Sequence, residues 1–181
     1  ARNDAADTAR QTTVERAYIV LTSILFEQES YEGVLEIAHQ ALERFPQMAD
    51  RPTLMSVSAR SLFSLERYEE AGAALDRFIA AYPGHPDAPS AYYQLGYCRE
   101  VLGQYEQAAE AFRALALRYP EDPLAPDALY RAGENLYNIS KFPEALAAYQ
   151  RVSDNYPQSA FAERALYSAG WTYMDLNQEQ E

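Results

Sequence analysis

The chain has 181 residues, with 15 basic and 27 acidic side chains and a formal net charge of −12 at pH 7. This charge argues against nucleic acid as a partner, since phosphate binding needs a basic surface. A single cysteine excludes an internal disulfide framework and a cysteine-rich zinc module, and a hydrophobic content of 48% is enough to bury a core.

An aromatic–proline pair recurs along the chain at a constant interval. The differences 82 − 45, 119 − 82 and 156 − 119 all equal 37, so the sequence predicts an array of 37-residue repeats. The pairs are Phe45-Pro46, Tyr82-Pro83, Tyr119-Pro120 and Tyr156-Pro157. The predicted copies are 12–45, 46–82, 83–119, 120–156 and an incomplete 157–181, and together they form a single array.

Each repeat predicts two helices joined by a short break, such as the one around Gly103. Apolar residues follow helical spacing on both sides of it, for example Tyr105, Ala108 and Phe112. The second helix ends at the aromatic–proline pair, because proline cannot continue a helix and disfavours helical geometry in the residue before it.

Local signals predict where individual helices begin. Asp122 is expected to cap a helix with Pro123 in its first position, and Ser159 holds the same column one repeat later. Pro143 is expected to open the helix after Phe142.

A column of small residues lies fourteen positions after each aromatic and predicts close helix packing. Gly96, Gly133 and Gly170 are expected to lie opposite Ala108, Ala145 and their equivalents, because a larger side chain would separate the two helices of a hairpin. The aromatic residues of the second helices are then expected to fill the gaps between successive hairpins. These residues are Tyr105, Phe112, Phe142 and Tyr149.

These columns resemble the tetratricopeptide repeat. The matching residues of the third copy are Tyr92, Leu95, Gly96, Ala108, Phe112 and Pro120, and those of the fourth are Leu129, Ala132, Gly133, Ala145, Tyr149 and Pro157. The resemblance implies an all-α, right-handed α-solenoid of about four and a half hairpins, or about nine helices. Two departures are a Tyr or Leu in place of the usual first-helix Trp and a period of 37 in place of about 34.

The longer period and the join at residues 119–130 resemble bacterial envelope repeat proteins, of the outer-membrane-assembly lipoprotein and Tol–Pal-associated types. That likeness implies a periplasmic or outer-membrane-associated location. The longest apolar stretch, 17–26, is too short to span a bilayer, so direct membrane insertion is not expected. The chain begins without methionine, and we expect it to be a fragment of a longer protein, so missing targeting signals say little about location.

The sequence offers little for catalysis, and no catalytic, cofactor-binding or metal-binding residue is predicted. His85 and Asp87 could pair as a base and its orienting residue, but a turn is the favoured interpretation because their column is the join between repeats. His39 is expected at the surface, and Cys98 is expected to be a small core residue. We therefore expect a protein that is not an enzyme and that needs no cofactor.

The resemblance implies that the first helices line a concave groove that holds a peptide or helix of a partner protein. The groove would present aromatic faces with scattered polar groups, and a carboxylate clamp is not expected because its columns hold tyrosine, glutamate and tryptophan. The alternative for the Tyr93, Tyr130 and Tyr167 column is packing between adjacent repeats. The candidate groove residues are Arg60, Tyr93, Gln94, Tyr97, Tyr130, Arg131, Glu134, Tyr137, Asn138, Arg164, Tyr167 and Trp171.

The last predicted helix, 159–177, lacks the second helix of its hairpin. Either the native protein continues, or another chain covers the exposed side, or the helix serves as a solvating cap. The alternatives to a peptide-binding scaffold are accordingly a structural subunit of a cell-envelope complex that self-associates through this helix, and an accessory domain of a larger enzyme.

Overall fold

The computed structural model describes the backbone of residues 2–178 and the side chains of residues 10–177, and this part of the chain is all-α, as predicted. It contains nine helices and no strand. The helices are α1 (Arg2–Glu27), α2 (Tyr31–Arg44), α3 (Arg51–Ser64), α4 (Tyr68–Ala81), α5 (Ala88–Val101), α6 (Tyr105–Arg118), α7 (Ala125–Asn138), α8 (Phe142–Asn155) and α9 (Ala162–Gln178).

The chain divides into two compact units, the first ending at His85 and the second beginning at Pro86. In the first, α1 to α4 pack in sequence and α1 also contacts α3. Its core includes Val34, Ala38 and Leu54, all fully buried. In the second, α5 to α9 pack in sequence and α7 also contacts α9. Each unit thus buries its apolar faces by stacking hairpins on one another, as expected of a repeat array.

The 37-residue interval is reproduced in the helix boundaries. The first helices α3, α5, α7 and α9 begin at 51, 88, 125 and 162, and the second helices α2, α4, α6 and α8 begin at 31, 68, 105 and 142, so every step equals 37. Each second helix ends directly before its aromatic–proline pair, and Pro143 lies in the first turn of α8, as predicted.

The break inside each hairpin has one conformation in all four copies. Residues 29, 66, 103 and 140 have positive φ, between 56° and 71°, and only Gly103 adopts this left-handed conformation without a steric penalty. The next residue donates its backbone N–H to the carbonyl oxygen five positions earlier. This bond pairs a carbonyl group in the last turn of the first helix that would otherwise lack a donor. These bonds are Ser30 to Leu25, Arg67 to Leu62, Gln104 to Arg99 and Lys141 to Leu136, at 2.8–3.0 Å.

The predicted caps at Asp122 and Ser159 are wrong. Both α7 and α9 begin three residues later than these positions. The Asp122 carboxylate accepts from the backbone N–H of Leu124 at 2.9 Å and so stabilises the turn that precedes α7. The Ser159 hydroxyl is buried without a hydrogen-bond partner, while its carbonyl accepts from Ala162. The residues by which the 37-residue repeat exceeds the usual period of about 34 lie in this turn, between the aromatic–proline pair and the next first helix.

The packing predicted for the small column also needs correction. A Cβ atom on Gly96 would lie 2.6 Å from the Phe112 ring, and one on Gly133 would lie 2.5 Å from the Tyr149 ring. The glycines therefore make room for an aromatic ring of their own hairpin rather than for an alanine. These rings fill the inside of a hairpin, since Phe112 and Tyr149 lie on the second helices α6 and α8.

The two terminal helices differ from the predicted boundaries. Helix α1 begins at Arg2, ten residues before the predicted first copy, because residues 2–13 contain no proline or glycine to stop a helix. Helix α9 runs to Gln178, and residues beyond it lie outside the described part of the chain. Across residues 2–178, none of the helices combines the length and apolar character that crossing a membrane requires.

Candidate functional site

A cavity of about 450 Å³ lies in the second unit between α7 and α9. We call it the α7–α9 cavity, and its volume falls in the range of small-ligand pockets. Its lining residues are Glu100, Glu134, Asn135, Tyr137, Asn138, Tyr149, Tyr167, Ser168, Trp171 and Thr172. Five of the predicted groove residues are thereby brought together, namely Glu134, Tyr137, Asn138, Tyr167 and Trp171.

The α9 wall of the cavity carries exposed aromatic side chains. Tyr167 is 69% exposed and Trp171 is 50% exposed, and their rings meet edge to face at 6.1 Å. On the α7 wall, the Tyr137 hydroxyl donates to Asp175 Oδ2 at 2.6 Å, which ties α7 to α9. The cavity therefore offers large apolar faces with hydrogen-bonding tips, held by a scaffold of packed helices.

Tyr130 lies between the helices and not on the cavity surface. It is 6% exposed, and its ring lies 5.6 Å from the Tyr149 ring and 5.8 Å from the Phe161 ring. The Arg164 guanidinium lies over the Tyr130 ring at 4.7 Å. For this member of the tyrosine column, packing between helices describes its environment, whereas Tyr167 of the same column faces solvent.

Tyr93 belongs to a polar network that joins α5 and α7. Its hydroxyl donates to Asp127 Oδ2 at 2.6 Å and accepts from Arg131 Nε at 2.8 Å. Arg131 also forms ion pairs with Asp127 at 3.4 Å and with Glu100 at 3.5 Å. Burial is the main cause, and the hydrogen bond to Asp127 the second, of a rise in the pKa of Tyr93 to about 12. The hydroxyl therefore remains a donor at neutral pH. The network links α5 to α7, and its member Glu100 also lines the cavity.

Two lining residues that connect this network to the cavity were missed from the sequence. Asn135 is 1% exposed, and its Nδ2 donates to Glu100 Oε2 at 2.8 Å and to the Arg131 carbonyl at 2.9 Å. Asn135 Oδ1 is buried without a hydrogen-bond partner. Glu100 is the charged member of a column that otherwise holds Phe26, Phe63, Tyr137 and Met174, and this contrast in the sequence could have identified it.

Glu134 is the second carboxylate of the cavity. Burial raises its pKa above the ordinary value, and the opposing influences of a Tyr130 hydrogen bond and of attraction from Arg131 and Arg164 do not cancel this effect. Burial therefore makes the ionised form of Glu134 less favourable than it is in water.

The remaining predicted groove residues lie elsewhere. Arg60 belongs to the first unit, where its guanidinium lies 4.6 Å from the centre of the Phe26 ring. Gln94 and Tyr97 are half-buried on α5, and Gln94 Oε1 is buried without a hydrogen-bond partner.

The residues considered for catalysis occupy structural positions. Cys98 is fully buried, and burial raises the pKa of its thiol to about 12, as expected of a core residue. His39 is exposed and lies 3.4 Å from Glu43, and the His85 ring packs edge to face on Phe78 at 5.3 Å. Among the described residues, no three His, Cys, Asp or Glu side chains are grouped as metal ligands would be.

Comparison with known proteins agrees with this geometry. A tetratricopeptide repeat model matches three overlapping segments of the chain, residues 21–86, 56–123 and 99–160. No curated protein matches the chain at the level of sequence.

Solved structures of repeat proteins share the fold. YrrB, described as a TPR protein with an unusual peptide-binding site, has a TM-score of 0.69 at 22% identity, over 98% of this chain and 84% of that chain. A tetratricopeptide repeat protein from Parabacteroides merdae ATCC 43184 has a TM-score of 0.73 at 13% identity, over 90% and 61%. A MamA fragment from Desulfovibrio magneticus RS-1 has a TM-score of 0.64 at 18% identity, over 92% and 97%. At these identities the likeness establishes the fold alone.

Proposed function

The chain belongs to the tetratricopeptide repeat family, and we propose that it is a non-enzymatic protein-interaction module that holds a peptide or helix of a partner in the α7–α9 cavity. The observation that carries this proposal is the pair of exposed aromatic residues, Tyr167 and Trp171, on the wall of a cavity of about 450 Å³. Aromatic side chains of this kind supply large contact area at low entropic cost and dominate many binding sites. YrrB, a TPR protein with an unusual peptide-binding site, supports the proposal by analogy.

A peptide array tests this function. Short random-sequence peptides are immobilised and probed with the wild-type chain, and binders are then titrated in solution as fluorescently labelled peptides. The paired substitutions Tyr167→Ser and Trp171→Ser are expected to weaken binding by more than about tenfold, because they remove the aromatic wall. Tyr93 and Tyr130 are unsuitable for this test, since their hydroxyl network and ring packing support the fold.

Tyr173→Ser is the matched control. Tyr173 lies on the same helix and is 59% exposed, but it does not line the cavity. We expect this variant to bind as the wild type does, and circular dichroism should show that all variants keep their helices. Equal loss of binding in the control and in the paired variant, or no loss in either, would refute the assignment of binding to this cavity.

A second candidate function, self-association through the outer face of α9, is favoured by one contrast between repeats. Leu129 and Leu136 of α7 are 1% and 5% exposed, and α7 packs against both α6 and α8. Their equivalents one repeat later, Leu166 and Tyr173, are 61% and 59% exposed. A contiguous apolar face of this kind is a common association surface. An assembly role in a cell-envelope complex would use such a surface, and the envelope location remains a prediction.

Sedimentation velocity separates the two functions. If the α9 face mediates association, the wild type should form a concentration-dependent dimer, and Leu166→Glu should abolish it by placing a charge in the interface. Leu117→Glu, at a residue 71% exposed on α6, serves as the control and should leave the dimer intact. A wild type that stays monomeric across the concentration range rules out this second function.

A further inference from the structure

The α7–α9 cavity is acidic as well as aromatic. The ten described residues that line it include the carboxylates of Glu100 and Glu134 and no lysine or arginine. The protein as a whole carries a net charge of −12, so no long-range positive field offsets these groups. The electrostatic complement of this cavity is a cation.

The repeat register indicates that Glu100 is not there for hairpin packing. In its column, Phe26, Phe63 and Tyr137 each place a ring 5.5–5.9 Å from the first aromatic residue of the following helix. The third repeat has a carboxylate in this position and therefore lacks the aromatic contact that stabilises the other hairpins. Arg131 compensates Glu100 in part, but the same guanidinium is also engaged by Asp127 and by the Tyr93 hydroxyl.

Asn135 supplies an independent observation. Its amide orientation follows from the Arg131 backbone carbonyl, which can only accept and therefore faces the Asn135 NH₂ group, as Glu100 Oε2 also does. This arrangement leaves Oδ1 buried and without a donor, although buried polar atoms are paired in the great majority of cases. The same column holds Ile24, Ser61, Cys98 and Thr172 in the other repeats, so hairpin packing does not require an amide at this position. Asn135 lines the cavity together with the two carboxylate residues, Glu100 and Glu134.

We propose that the α7–α9 cavity receives the cationic side chain of a lysine or arginine from an extended partner peptide. Its N–H groups would donate hydrogen bonds to the carboxylates of Glu134 and Glu100 and to Asn135 Oδ1. Its charge and methylene stem would lie against the aromatic faces of Tyr137, Tyr167 and Trp171, since aromatic rings attract cations. This inference rests on the proposed peptide-binding function and adds the chemistry of the residue that anchors the peptide.

The test uses the intrinsic fluorescence of Trp171, which is the single tryptophan of the chain and lies in the cavity wall. The probes are acetylated and amidated Ala-Pro-Xaa-Pro-Ala peptides in which Xaa is lysine, arginine, norleucine or glutamate. We expect the lysine and arginine peptides to bind at least about tenfold more tightly than the norleucine peptide. Norleucine has a similar shape to lysine but lacks the charge that would form hydrogen bonds in the cavity. The glutamate peptide should bind most weakly.

Glu134→Gln provides the protein side of the test. It should reduce the affinity for the lysine peptide to about that of the norleucine peptide and leave norleucine binding unchanged. Glu163→Gln, at an exposed acidic residue of the first turn of α9, is the matched control and should change neither. If Glu134→Gln fails to fold, the comparison of lysine with norleucine on the wild-type chain still decides the question.

The outcomes separate the inference from the function on which it rests. Equal affinity for lysine and norleucine, or preference for glutamate, overturns the cationic anchor while leaving peptide binding in place. No change in Trp171 fluorescence with any probe also overturns the anchor, and the peptide array with its Tyr173→Ser control then decides the proposed function by itself. A preference for the basic probes that Glu134→Gln removes supports the inference.

Discussion

Replacing Phe112 by alanine is expected to lower the free energy of unfolding of the second unit by about 3–5 kcal/mol. Phe112 is fully buried on α6, its ring lies 5.5 Å from the Tyr93 ring, and it fills the space that Gly96 leaves on α5. The substitution therefore removes the side chain around which one whole hairpin is packed. Because repeats are stabilised by their neighbours, the loss should extend to the rest of the unit.

Urea unfolding followed by circular dichroism measures this effect. Leu117→Ala, at a residue 71% exposed on the same helix, is the control and should change stability by less than about 0.5 kcal/mol. Adding Gly96→Ala to Phe112→Ala should cause no further loss, because the ring that a Cβ atom would strike is then absent. If Phe112→Ala unfolds at the same urea concentration as Leu117→Ala, the ring is not the core of its hairpin.

The second large effect is expected at Gly133. A Cβ atom there would lie 2.5 Å from the Tyr149 ring, which is itself 2% exposed and cannot move aside, so Gly133→Ala should cost about 1–3 kcal/mol through overpacking. Gly170 holds the same column one repeat later, and a Cβ atom there meets nothing within 4 Å. Gly170→Ala should therefore stabilise the chain by up to about 1 kcal/mol, since alanine is the better helix former.

Thermal and chemical unfolding of the two variants give opposite signs if this packing is correct. The pair controls for helix propensity, because the same substitution is made at the same repeat position in α7 and α9. Destabilisation by Gly170→Ala as large as that by Gly133→Ala would show that the glycines are needed for their backbone and not for the ring.

The repeat architecture was predictable because it depends on periodic signals. The aromatic–proline pairs end each second helix, and their 37-residue interval recurs in the helix boundaries. The capping error at Asp122 and Ser159 arose because a turn and a helix start use the same residue types, and a local pattern does not distinguish them. The partners of the glycine column were misassigned because spacing locates a small residue but does not identify the side chain that fills its space.

The cavity was predictable only in part. Tyr167 and Trp171 could be named from their columns, and they face solvent as a groove residue should. Tyr130 shares the column of Tyr167 but is buried by Tyr149 and Phe161, so membership of a column does not determine exposure. Glu100 and Asn135 could not be connected from spacing, because their hydrogen bond crosses from α5 to α7.

Peptide binding in the α7–α9 cavity can be followed at the indole N–H resonance of Trp171, which lies in the cavity wall. Titration of the isotope-labelled chain with a peptide selected on the array should shift this resonance together with the backbone amides of Glu134 and Asn138, with one saturation curve for all three. Saturating binding that leaves the Trp171 resonance in place, with shifts confined to the first unit or to the outer face of α9, would show that the peptide does not bind in this cavity.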